Sequence, residues 1–129
     1  MKGIELVFLA IGAILGACLR YRVTETPIVL GGLSINILLV NVLGSFILGA
    51  FSVVSPLMNL DANYTLFMSI GFCGSLTSMS SFALDTCNLL DVRCLHLAAL
   101  NIIANVCLSL GALISGRGLT SMILGLILH

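Results

Sequence analysis

Amide and hydroxyl side chains stand where a chain this apolar has least use for them, and their spacing is that of a shared surface. Asn101, Asn105 and Ser109 recur every four residues, which on a helix stacks them along one face as a ladder of hydrogen-bond donors. Asn41 sits in the middle of another apolar run, within Asn41-Val42-Leu43-Gly44-Ser45-Phe46-Ile47-Leu48-Gly49. An amide in hydrocarbon has to find partners, so Asn41 faces protein or a wetted path. An interhelical hydrogen bond and a place in a conduction path are both open to it.

The stretch Gly71-Phe72-Cys73-Gly74-Ser75-Leu76-Thr77-Ser78-Met79-Ser80-Ser81-Phe82 carries two glycines and five hydroxyl residues, poor material for an unbroken helix. A break here turns carbonyls toward a cation and helix N-termini toward an anion. The alternative is an intact helix whose Ser and Thr bond back to the preceding turn. Asp85, one helical turn beyond Phe82, is the only acid well inside an apolar run; at that depth it is a functional candidate, protonated or paired.

This is chemistry of solvation rather than of bond making. There is no Ser/His/Asp set, no HExxH and no pair of acids placed for acid/base work, so no enzyme is expected. Amide and hydroxyl donors suit a small, strongly hydrogen-bonding anion better than a cation that needs several carboxylates. The positive edge of the Phe82 ring adds a weak anion-solvating surface. Five cysteines lie at 18, 73, 87, 94 and 107 without a CxxC or a Cys/His pair at ligand spacing, and read as small buried hydrophobes.

The elements that position these groups follow from composition. Of 129 residues, 60% are hydrophobic and 8% charged, too little polar surface to clothe a domain in water. Five basic and five acidic residues balance to zero, which leaves no footprint for nucleic acid. A helix needs about 20 apolar residues to cross roughly 30 Å of hydrocarbon, and the runs at 4–20, 33–54, 65–90 and 94–115 qualify. The first run resembles a signal peptide but lacks a small-residue cleavage site before Arg20, so a retained span is expected. Leu119–Leu128 is too short to cross alone and is expected to extend the fourth helix to 128, with a break at Gly116-Arg117-Gly118 as the alternative. Gly12 with Gly16, and Ser45 with Gly49, make small-residue faces assigned to helix packing. The expected fold is therefore an all-α integral membrane protein of a single domain, with four transmembrane helices and the third broken.

Charge sets orientation only weakly. Lys2 and Arg117 fall on one side of such a protein and Arg20, Arg22 and Arg93 on the other, a bias that hardly selects a direction. A weakly biased single orientation and dual insertion, with two copies packed as an inverted pair, both follow.

Leu19-Arg20-Tyr21 after Gly12 and Gly16, the Asn-x-x-Gly-Ser-Phe-x-x-Gly run from Asn41, and the Gly-x-x-Gly-x-x-Thr-x-x-Ser-x-Phe run from Gly71 together resemble the Fluc (CrcB) fluoride channel family. The resemblance covers the whole chain. It implies passive fluoride export across the cell membrane by an antiparallel homodimer with two pores and a central sodium ion (Na+). It also implies an anion pathway of Asn41, Met79, Ser80, Ser81, Phe82, Asn105 and Ser109, with sodium-facing carbonyls at Gly74 and Thr77. Arg20 matches the family's arginine at the end of the first span, where fixed charge attracts anions and anchors the interface. Asp85 falls where the family usually has an acid. Met79 departs from the family's pair of pore phenylalanines, and Asn101 stands where an aromatic is common; a dispensable ring and a non-identical paired subunit are the two readings of that departure.

Two other classes use similar helices. A small proton-coupled transporter needs a central membrane carboxylate, and Glu5 lies at the start of the first span. A non-conducting membrane assembly subunit needs only the folded shape.

Overall fold

The computed structural model describes residues 1–129 as a helical bundle with one small hairpin. Helix α1 spans Gly3–Thr24 and α2 spans Asn36–Leu57. A third crossing, Ala62–Asp91, is composite: α3 (Ala62–Thr65), a π-helical segment (Leu66–Cys73), α4 (Gly74–Leu76) and, past an extended pair, α5 (Met79–Asp91). Helix α6 runs from Leu95 to Leu128. Four segments are thus long and apolar enough to cross a membrane.

Between α1 and α2 the strands β1 (Val29–Leu30) and β2 (Leu33–Ser34) pair antiparallel about Gly31 and Gly32, which hold φ of +61° and +88°. Two positive-φ residues make the tight turn whose twist matches paired strands. The second crossing therefore begins at Asn36, not at Leu33 as the apolar run predicts, because Leu33 and Ser34 are spent on the ladder. Asn36, buried, fastens this link: its Oδ1 accepts from Ile28 N–H at 2.7 Å, and its Nδ2 donates to Val23 O at 2.6 Å and Thr26 O at 2.9 Å.

Helix α6 passes Gly116-Arg117-Gly118 without interruption, so Leu119–Leu128 continues it. At 34 residues and 1.5 Å per residue it is about 51 Å long, well beyond a hydrocarbon core of about 30 Å.

Small residues set the packing. A methyl on Gly12 or Gly16 would fall on the carbonyls of Phe67 or Phe72, so α1 lies with its backbone directly against the third crossing. Gly49 meets the Leu113 carbonyl and Gly116 the Phe46 carbonyl in the same way, joining α2 to α6. The Gly12/Gly16 and Gly49 faces are thus filled from within the chain. Near the start of α1, the rings of Phe8 and Tyr64 meet edge to face at 6.0 Å.

Candidate anion pathway

The break between α4 and α5 follows from where its amides go. Thr77 and Ser78 adopt extended backbone, with ψ of 156° and 104°. Ser78 N–H donates to Asn41 Oδ1 at 2.8 Å instead of to the carbonyl four residues back, so the Gly74 carbonyl loses its usual helical donor. Ser78 then caps α5: its Oγ accepts from Ser81 N–H at 3.1 Å and donates to Ser81 Oγ at 2.8 Å, with Ser80 Oγ 3.4 Å away. Thr77 bonds back to Cys73 O at 3.0 Å. Its methyl lies where a side chain at residue 44 would go, and only glycine there lets α2 approach the break.

Arg20 reaches the same place, donating from Nη1 to the Thr77 carbonyl at 3.3 Å. The guanidinium is half-buried and makes no ion pair, whereas Arg22 pairs loosely with Glu25 at 3.6 Å on the exposed end of α1. Fixed positive charge therefore sits beside the break.

Asn41 anchors a chain of amides with a single polarity. Its Nδ2 donates to Asn105 Oδ1 at 3.0 Å. Asn105 Nδ2 donates to Asn101 Oδ1 and to Asn101 O, each at 3.0 Å. Asn101 Nδ2 donates to Thr86 Oγ1 at 3.0 Å, and Thr86 Oγ1 donates to Phe82 O at 2.8 Å. One end is a backbone N–H and the other a backbone carbonyl, so no amide in the series flips without setting like against like. Asn101 and Asn105 are only 3% and 5% exposed, and pairing is what makes that burial tolerable.

Counting donors shows what is left over. Asn105 has an acceptor for each N–H, while Asn41 uses one N–H on Asn105 and keeps the other. The hydroxyl of Ser109 is buried and has no partner. Asn41, Asn105 and Ser109 line one cavity of about 420 Å³ between α2, the third crossing and α6, together with Met79, Phe82, Gly74 and Thr77. Met79 stands at its rim, 73% exposed, and Phe82 is half-buried.

A second cavity of about 340 Å³ lies toward the hairpin, lined by Ser34, Asp85, Asn88 and Asn101. Asn101 faces this cavity and Asn105 the first, so the bonded amide pair is the wall between the two. Most of the residues singled out from sequence are gathered here. Ser80 and Ser81 are not, because their hydroxyls turn to Ser78 and line neither cavity. Sequence reasoning passed over Ser78 as a cap and Thr86 as the end of the amide chain. The cap had a signal, a serine three residues before Ser81 at a helix start. Thr86 had none, since its role depends on α6 lying alongside.

Crossings of this length, a helix broken inside the bundle and a cavity lined by unspent donors define a multi-pass membrane protein with a polar site at depth. Residues 7–117 match the model of the family described as CrcB-like protein, Camphor Resistance (CrcB), and the chain belongs to that family. It is 58% identical over 124 residues to the fluoride-specific ion channel FluC of Nitrosopumilus maritimus, covering 96% of this chain and 98% of the relative. The protein of the same name from Methanocaldococcus jannaschii is 40% identical over 102 residues, covering 79% and 82%. That from Methanococcus maripaludis is 38% identical over 113 residues, covering 88% and 93%. These relatives carry the name of a channel, not of an enzyme.

Proposed function

We propose that this chain is a fluoride channel subunit that lets fluoride leave the cytoplasm passively across the cell membrane. The observation that carries this reading is the unspent N–H of Asn41 and the unpaired, buried hydroxyl of Ser109, on two residues that line one cavity among the crossings. Buried donors without acceptors cost about 1–3 kcal/mol each, and a small anion that has shed its water recovers that cost. No carboxylate lines the cavity, so no formal negative charge opposes the anion there. Arg20, beside the break, raises local anion concentration.

The working assembly in this reading is an antiparallel homodimer made possible by dual topology. Ser80, at the surface of this chain, and Met79 at the cavity rim then face the partner's path. The Gly74 carbonyl, deprived of its helical donor, and the Thr77 carbonyl suit a sodium ion shared between two copies. One chain brings only these two oxygens, one of them already accepting from Arg20, so the coordination set is completed by the second copy. Sodium supplies positive charge that offsets the carbonyls of the break. A non-identical paired subunit is the second reading, favoured by Met79, whose thioether lacks the positive ring edge of a phenylalanine.

Purified protein in liposomes tests the function. Fluoride efflux without chloride efflux, dependent on external sodium, is the expected result; proton flux driven by a drug supports a transporter, and silence an assembly subunit. Crosslinking of the singly expressed chain yields a dimer if it is sufficient alone, and monomer if a second subunit is required.

A further inference from the structure

The cavity extends beyond the asparagines, and besides Ser109 it is lined by two hydroxyls, Ser45 and Ser69, that the pathway described so far does not use. Helices α2 and α6 run in parallel register: Asn41 is bonded to Asn105, and Gly49 meets Leu113, each pair separated by the same interval in sequence. Ser45 and Ser109 lie midway between these two contacts, four residues from each, and so stand at one level. Both line the cavity, and Ser69, from the π-helical segment of the third crossing, lines it as well.

Some hydroxyls in this chain bond back to their own backbone. Thr24, Ser52, Thr77 and Thr86 all do so, the usual fate of a hydroxyl in an apolar helix. Ser45 and Ser69 are not among them, and Ser109 Oγ is buried with no partner at all. The π-helical turns contribute directly: a wider turn changes which side chains face α2, as such turns commonly do at functional sites.

We infer that Ser45, Ser69 and Ser109 form a second anion station past the Asn41–Asn105 pair, a hydroxyl-lined site for a partly dehydrated small monovalent anion. This rests on the channel reading above and adds to it the direction of travel, from the asparagines toward the end of α2. Ser45 is then a pathway residue and not only a packing one. Three O–H donors, each free to rotate, pass an anion along without the fixed geometry that would hold it too tightly.

The test uses the full-length protein in liposomes loaded with fluoride. Ser45→Ala with Ser69→Ala removes two oxygens and adds no bulk. It is expected to lower fluoride efflux about tenfold, as the loss of two neutral hydrogen bonds predicts, and to raise the fluoride concentration needed for half-maximal flux, with melting temperature and chloride leak unchanged. Ser69→Thr, which keeps the hydroxyl, loses less flux than Ser69→Ala. Should the double variant fold poorly, the single alanine variants, each expected to lose about threefold, decide the matter. A folded double variant with parental efflux and half-saturation overturns the station while leaving the channel intact. A parent protein that passes no fluoride overturns the channel reading itself, and the station with it.

Discussion

Two seams in this molecule are built from the same small residues and end differently. Along α1, Gly12 and Gly16 press against the carbonyls of Phe67 and Phe72, and Gly71 returns the contact against Leu9. Between α2 and α6, Gly49 and Gly116 close the helices just as tightly. Two turns nearer the start of α2, however, Asn41 and Asn105 hold the second seam open, and the cavity begins. Glycine lets backbones touch, and dispersion alone then seals the contact. An amide at the same kind of interface needs a partner and keeps its second N–H for whatever enters. One seam is therefore closed along its length and the other opens into a cavity lined by donors, and substitutions separate them.

The largest expected effect is on the sealed seam. Gly16→Val places branched carbon into the Phe72 carbonyl, a backbone neighbour that cannot rotate away. Overpacking of a tight site costs about 1–3 kcal/mol and more where backbone is met, so little monodisperse protein should survive extraction; wild-type yield and melting would show that the seam is looser than described. Arg20→Gln comes next. It removes a charged donor from the Thr77 carbonyl, worth about 1.5–3 kcal/mol, and should lower both melting temperature and fluoride efflux.

Smaller still is Thr86→Val, which leaves Asn101 without its acceptor. A stability loss of about 1–3 kcal/mol is expected from the orphaned amide, with efflux falling less than for Arg20→Gln because Asn105 stays fixed by the Asn101 carbonyl. At the bottom of the scale lies Ser52→Ala, which removes only a back-bond to Gly49 and should change melting by no more than about 0.5 kcal/mol. An effect on flux as large as that of Arg20→Gln would mean that the path extends further than the cavity.

How much of this was readable from residues alone follows from which interactions are local. The crossings announce themselves by apolar length, and the broken third helix by the glycines and hydroxyls between Gly71 and Phe82. The every-fourth-residue stripe of Asn101, Asn105 and Ser109 was equally plain. The hairpin was half legible, since Gly31-Gly32 signals a turn but Leu33 continues the apolar run that follows. What no local pattern carries is a partner across the bundle. Asn41 meeting Ser78 N–H, Asn101 meeting Thr86 and Ser69 facing the groove of α2 and α6 all depend on three-dimensional packing. The π-helical turns are equally silent, because their wider winding answers to the neighbouring helix and not to any residue preference.

The central claim is that an amide N–H at residue 41 faces the ion. Fluoride efflux from liposomes holding Asn41→Asp, beside parent protein of matched melting temperature, tests it most directly. The substitution turns a donor into an acceptor with negative charge, and efflux should fall at least about a hundredfold, the rate equivalent of roughly 3 kcal/mol. Undiminished fluoride efflux from the folded variant would remove Asn41 from the path and contradict the account.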